Sequence, residues 1–408
     1  MMFTPLTLPN GSVLPNRLAK AAMEENMADV GQVPGPALYR LYQSWAQGGV
    51  GLIITGNVMI DGRAMTGPGG VALEANTPLA AFTAWAKSAR QNGAQVWMQI
   101  NHPGRQVMAS MGGEAWAPSA VPVEMGKHSK LFAQPTAMSQ AQIDEVIERF
   151  ATTAYAAEQA GFTGVQIHAA HGYLLSQFLS PLTNRRHDQW GGSLANRARL
   201  LLEVVGAVRE RVSPSFCVSI KLNSADFQRG GFSEEDAQQV ILLLNELPID
   251  LIELSGGSYE SPAMQGNAAD GRTLAREAYF LEFARDLAAV AHMPVMTTGG
   301  IARKSVAQQV LDSGVAVAGI ATAMAQVPDL PLQWKAGNEP YALPKPVTWK
   351  NKTMAGLARM ALVTRRLRAL GEGRTRASRY SPLFTLIINQ LRTKRITRRY
   401  REWRQQRA

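Results

Sequence analysis

The sequence predicts a (β/α)8 TIM barrel followed by a basic, helical C-terminal extension. Three observations carry this. Eight short apolar runs recur at fairly even intervals, amphipathic stretches long enough for helices lie between them, and nearly every chemically useful side chain sits at the downstream end of a run. The runs are Arg17–Met23, Val50–Gly56, Gln95–Asn101, Thr163–His168, Phe216–Leu222, Asp250–Ser255, Pro294–Thr298 and Val315–Ile320. They are rich in Val, Ile and Leu, too short for helices, and apolar on both faces, as strands of a helix-covered parallel sheet are. In such a barrel the C-terminal strand ends form the mouth where chemistry is done.

In order along the chain, the first run ends at Ala21, Ala22 and Met23 and the second at Gly56. The third, QVWMQINHPGRQ, places Gln99 near its end and leads into an unusually long connection, residues 102–138. Loops of that length in a compact domain are usually lids or binding loops. Ser139 N-caps the helix that follows, with Asp144 and Glu145 expected in its first-turn region and Gly161 stopping it. The fourth run ends in VQIHAAHGYLLSQFLSP, after which Ser193 opens another helix. The fifth ends in SIKLNSADF, and Ser233, followed by Glu235 and Asp236, opens the next helix. The sixth ends in ELSGG, the seventh in TTGGIARKS and the eighth in AGIATAMAQVPDL.

Composition narrows the class. Of 408 residues 46% are hydrophobic and 18% charged, and no apolar run approaches the ~20 residues that span a bilayer. The N-terminal MMFTPLTLPNGS lacks the basic and apolar regions of a signal peptide, so a cytoplasmic protein is expected. A single cysteine, Cys217, excludes an intramolecular disulfide and any all-cysteine cluster, and its place in the fifth run reads as a buried, inert thiol. The net charge of +11 is unevenly spread. Residues 351–408 hold 16 Lys and Arg against Glu372 and Glu402, a local +14, whereas the first 350 residues carry 26 basic and 29 acidic groups, a net of −3. A barrel over residues 1–345 and a basic extension over 346–408, joined near the Pro-containing stretch Pro340–Val347, follow from this.

The strand ends describe a site. His168 and His171 stand three residues apart, expected just past the end of the fourth strand, with Tyr173 two further on. Paired imidazoles can ligate a metal or donate to one substrate oxygen, but zinc wants a third ligand and none is evident, so no metal is expected. Tyr173 suits a neutral proton donor. Gln99 can read the polar edge of a heterocycle. Lys221 near the mouth demands a negative charge, from an anionic ligand or a buried carboxylate. Gly299 and Gly300 open a helix where barrels often hold phosphate, and Ala321 and Thr322 allow close backbone approach after the eighth run. No nucleophile–base pair or carboxylate dyad appears, so a redox cofactor explains the inventory better than hydrolysis does.

The stretch HAAHGYLLSQFLSPLTNRRHDQWGGSLANRARLLLEVV resembles the old yellow enzyme family of FMN-dependent oxidoreductases, supported by LPNRLAKAAM, QINHPGRQ, KLNSADF, ELSGG and TTGGI over roughly the first 340 residues. The resemblance implies FMN across the mouth, NADH or NADPH as electron donor, and a small electrophilic acceptor such as an activated alkene. It places Ala21, Ala22, Met23 and Gly56 along the flavin, Gln99 on its pyrimidine portion, Lys221 near N1, and Gly299, Gly300, Ala321 and Thr322 at the phosphate. It makes His168 and His171 the carbonyl-binding pair and Tyr173 the proton donor. Three departures from the family pattern stand out: Ala321–Thr322 replace a Gly-Arg pair, Lys221 replaces an arginine, and Glu24 stands where Thr or Cys is common. With a single cysteine, the chain is expected to lack the four-cysteine iron–sulfur site of larger dienoyl-CoA-reducing relatives, so that electrons pass directly from nicotinamide to FMN.

An ene-reductase is the leading expectation. A flavin-dependent amine demethylase or dehydrogenase, or a barrel that has lost FMN and catalysis, are the alternatives. The tail is expected to be a helix packed on the barrel or a neighbouring subunit, with weak membrane-surface association as a second reading and docking to an acidic partner as another. Homo-oligomers stay open and nucleic-acid binding is not expected.

Overall fold

The computed structural model describes residues 1–261, 280–374 and 380–407. Eight parallel strands close into a barrel: β1 Leu18–Lys20, β2 Leu52–Ile54, β3 Gln95–Asn101, β4 Gly164–Ala169, β5 Cys217–Asn223, β6 Leu251–Ser255, β7 Val295–Thr297 and β8 Val317–Ile320. β8 pairs with β1 and β3 with β4, which closes the barrel. The (β/α)8 class is as expected, while the strand ends move. β1 and β2 are three residues each; the N–H groups of Ala21 and Thr55 still donate to the Ile320 and Trp97 carbonyls, and the chain turns to line the mouth after them. β4 runs one residue further than expected, so His168 lies inside the strand rather than past it.

The barrel helices are α1 Pro36–Gln47, α2 Ala80–Ala89, α3 Gln140–Gln159, α4 Leu194–Arg211, α5 Glu234–Leu244, α6 Leu281–Ala288, α7 Lys304–Asp312 and α8 Leu330–Lys335. Ser139, Ser193 and Ser233 cap α3, α4 and α5 through their hydroxyls, as their sequence positions imply. One detail is corrected: Asp144 and Glu145 lie beyond the first turn of α3, where Gln142 completes a capping box with Ser139. Loop 102–138 carries two short 3₁₀ turns and a two-residue strand pair, Trp116–Ala117 with Thr136–Ala137.

Strand alternation divides the core. Outward residues meet the helices, whereas Ala19, Leu52, Trp97, Cys217, Leu251 and Val317 fill the barrel floor, sealed by Leu8 and Leu14 of an N-terminal hairpin. Cys217 is buried, as expected, and burial pushes its thiol up to about 11. Above this apolar plug the inward positions turn polar.

The extension forms α9 Lys352–Gly371 and α10 Pro382–Gln405, both docked on the barrel. Arg40 Nε donates to the Gly371 carbonyl at 2.7 Å. Tyr400 is fully buried and donates to the Gly62 carbonyl at 2.9 Å, and Arg392 and Arg399 donate to the carbonyls of Asn26 and Ala28. α10 thus lies across the loops that follow β1, β2 and β3. Among the described residues no helix is long and apolar enough to cross a membrane.

Candidate active site

Two layers of inward side chains build the site. In the lower, Lys221 Nζ donates to Glu253 Oε1 at 2.7 Å, Gln166 Nε2 donates to Glu253 Oε2 at 2.8 Å, and Gln99 Nε2 donates to Gln166 Oε1 at 2.7 Å. All four are at most 3% exposed. Adjacent strands set this chain, since β3 to β6 place Gln99 beside Gln166 and Lys221 beside Glu253. The partner Lys221 required is therefore a buried carboxylate. Glu253 interrupts an apolar strand in the sequence, a signal that could have identified it.

The upper layer holds His168, His171 and Tyr173. The imidazole centroids are 5.0 Å apart and His168 lies 4.8 Å from the Tyr173 ring, both edge to face. His168 Nδ1 accepts the Ala170 N–H at 3.2 Å, so the proton of the neutral ring sits on Nε2. His171 has a φ of 60°, in the left-handed region that costs a non-glycine residue. Its N–H donates to Asn223 Oδ1 at 3.1 Å and its Nε2 lies 2.7 Å from Ser255 Oγ, which hold it there. The Tyr173 hydroxyl is 3.0 Å from that of Tyr259, whose loop is tethered by the buried Arg105–Glu260 ion pair at 2.5 Å. Tyr259 and Ser255 were not among the expected residues: nothing in their spacing ties them to strand four.

Burial governs the charge states. It holds both imidazoles well below their usual range, reinforced at His168 by His171 and Lys221 and at His171 by Lys221. His102 falls to about 4, chiefly by burial, despite the counteracting Asp61 carboxylate. Burial raises the Tyr173 phenol well above its usual value, with Tyr259 and Glu24 adding to it. Glu24 accepts the Thr66 hydroxyl at 2.7 Å, and burial raises its carboxyl.

Stability should therefore be acid-sensitive. Imidazoles of the unfolded chain titrate near about 6.5, above their folded values, so the unfolded state binds more protons below that pH. The histidine contribution is complete above pH ~6.5 and is lost as pH falls, by up to about 1.4 kcal/mol per pH unit and histidine. Urea unfolding should show lower stability at pH ~5 than at pH ~7; an unchanged midpoint at constant slope would mean the rings are protonated in the fold.

The remaining expected residues surround the same mouth. Ala21, Ala22 and Met23 follow β1, with the Ala21 N–H donating to the Ile320 carbonyl at 3.0 Å. Gly56 follows β2, and its N–H donates to the Tyr42 hydroxyl, which in turn donates to Glu25. A Cβ on Gly56 would strike the Glu25 carboxylate and the Met23 carbonyl, so the protein's own packing demands glycine there. Beneath this corner Lys20 is buried beside Glu25 at 3.7 Å, and burial brings its ammonium down to about 8. Gly299 and Gly300, with φ of 112° and 74°, follow β7, and Ala321 and Thr322 follow β8.

This donor set fits FMN. The residues that follow β1 and β8, Ala21, Ala22, Ala321 and Thr322, are small. Gln99 gives an amide N–H to Gln166 and keeps its carbonyl oxygen, and Lys221 is a buried cation paired with Glu253. The positive-φ glycines offer backbone N–H groups where the phosphate is expected.

Comparison with known proteins agrees. The model of the NADH:flavin oxidoreductase / NADH oxidase family matches residues 1–339. The NADH-dependent flavin oxidoreductase iliE of Hypocrea jecorina (strain QM6a) is 37% identical over 351 residues, 80% of this chain and 87% of that protein. The NADH oxidase of Thermoanaerobacter brockii is 32% identical over 333 residues, 80% of this chain but 50% of its own length. The structure of morphinone reductase in complex with tetrahydroNAD superposes with a TM-score of 0.68 at 25% identity, covering 85% of this chain and 93% of that one. The expectation of a non-catalytic barrel without FMN is thereby set aside. The chain belongs to the NADH:flavin oxidoreductase / NADH oxidase family, the old yellow enzymes, and is an FMN-dependent enzyme that takes electrons from NADH or NADPH.

Proposed function

We propose that the enzyme reduces an activated, enone-type C=C bond, with His168 and His171 binding the carbonyl oxygen and Tyr173 supplying the proton. The observation that carries this reading is the tautomer of His168. With Nδ1 committed to Ala170, a neutral ring presents Nε2–H as a donor, and burial keeps it neutral through physiological pH. A donor aimed at developing negative charge in a desolvated site stabilises the transition state. Bound FMN, reduced by NADH or NADPH, would supply the hydride. Ala21, Ala22, Met23 and Gly56 would line its ring and Gln99 would meet the pyrimidine edge. Lys221 would face N1, with its charge fixed in place by Glu253. Gly299, Gly300, Ala321 and Thr322 would hold the phosphate through backbone N–H groups and the Thr322 hydroxyl, without the family's arginine.

Tyr173 is the group suited to the second carbon. Its raised pKa keeps the phenol protonated, and the neighbouring Tyr259 hydroxyl at 3.0 Å can return a proton after transfer.

The test is anaerobic. Purified enzyme should be yellow, bleach with NADH or NADPH, and regain its colour stoichiometrically with cyclohexenone. Anaerobic bleaching of the oxidised enzyme by an N-methylated amine, with no recovery of the reduced enzyme's colour on enones or nitroalkenes, would favour a demethylase and would overturn the reading.

A further inference from the structure

We propose that the outward face of α10 docks the enzyme on anionic phospholipid membranes. The inward face fixes how the helix lies: Thr385, Leu386, Ile396 and Tyr400 are buried against the protein, and Arg392, Arg399 and Tyr400 are tied to barrel-loop carbonyls. The side chains on the opposite face are therefore presented to solvent in a fixed arrangement rather than by a loose tail.

That face is divided along its length. Leu383, Ile387 and Leu391 follow an i, i+4, i+8 spacing and Phe384 adjoins them; they are 58%, 47%, 62% and 57% exposed. Lys394, Arg398 and Arg401 continue the same face toward the C-terminus, all exposed. With Ser110, Thr393 and Thr397 they line a surface groove of about 630 Å3. Glu402 also lines it, and pairs with Arg398 at 3.7 Å. An exposed apolar cluster bordered by polar groups marks an interaction surface.

The partition selects the occupant. A lipid interface offers acyl chains to the apolar half and headgroup phosphates to the cationic half, on one plane. The tail holds 16 basic residues against two acids, while the first 350 residues are near neutral, so positive charge is concentrated at this end. A second copy pairing through the same face would bring two such tails together and oppose like charges.

Co-sedimentation of the full-length, FMN-loaded enzyme with vesicles tests this. The protein should pellet with equimolar phosphatidylcholine and phosphatidylglycerol at low salt, and stay free with phosphatidylcholine alone. Neutralising Lys394→Gln, Arg398→Gln and Arg401→Gln together should lower partitioning on the order of 100-fold, at about fivefold per cation. Ile387→Asp with Leu391→Asp should also release the enzyme. Because these side chains are exposed, FMN content and the thermal midpoint should stay as in the wild type, which separates lost docking from lost folding. The proposal is overturned if wild type ignores anionic vesicles, or if both variants bind as it does. It is equally overturned if light scattering finds a wild-type dimer that Ile387→Asp with Leu391→Asp splits, since the face would then cover a second copy.

Discussion

Lys221→Met should destabilise the folded enzyme by about 3–5 kcal/mol, because it leaves the Glu253 carboxylate buried with a single hydrogen bond, from Gln166. Removing one member of a buried pair costs far more than removing both. The double variant Lys221→Met with Glu253→Gln should therefore recover much of the loss, since the neutral amide it introduces can still accept from Gln166. Urea unfolding of the single and double variants measures this coupling. FMN affinity separates the two roles of the lysine. If its charge also serves the flavin, the double variant should fold well yet bind FMN more weakly than wild type. Equal destabilisation of single and double variants would remove the buried pair from the account.

The second large effect concerns the acceptor half-reaction. His168→Ala should slow reoxidation of the reduced enzyme by an enone about 10²- to 10³-fold, the cost of one donor at a developing oxyanion. Binding of phenolic ligands to the oxidised enzyme should weaken as well. His168→Asn, which restores an N–H on a shorter side chain, should return part of the rate. Stopped-flow traces at flavin wavelengths read both, and a rate within a few-fold of wild type would dismiss His168 as the oxygen's partner. His171 is the more constrained of the two, with its ring against Ser255 and its backbone in the left-handed region. His171→Ala should accordingly mix a rate effect with a relaxed loop.

Much of the barrel was legible in the chain because strands buried on both faces leave continuous apolar runs, and because Ser139, Ser193 and Ser233 announce helix starts. The ends of β1 and β2 were not legible. Ala21, Ala22 and Gly56 are as small or apolar as strand residues, so only the pairing with neighbouring strands, which the fold supplies, ends the ladder. Lys221 could be recognised as a charge needing a partner, but the choice between ligand and Glu253 depended on the register of β5 against β6. His168 and His171 were visible as a pair. The hydrogen bond to Ala170, which makes one ring nitrogen a donor, was not, since it arises from the path of the chain after β4. Tyr259 meets Tyr173 from 86 residues away, a contact that no local pattern encodes.

By itself, the sequence determined the fold class, the place of the mouth, the family and the basic character of the tail. Each depends on periodicity, short motifs or composition, which are properties of neighbours along the chain. Tertiary structure alone decided which charge answers Lys221, which tautomer His168 adopts, and what lies on each face of α10. Those depend on groups brought together by strand register and helix docking, where burial removes water and makes a single contact decide protonation and partner.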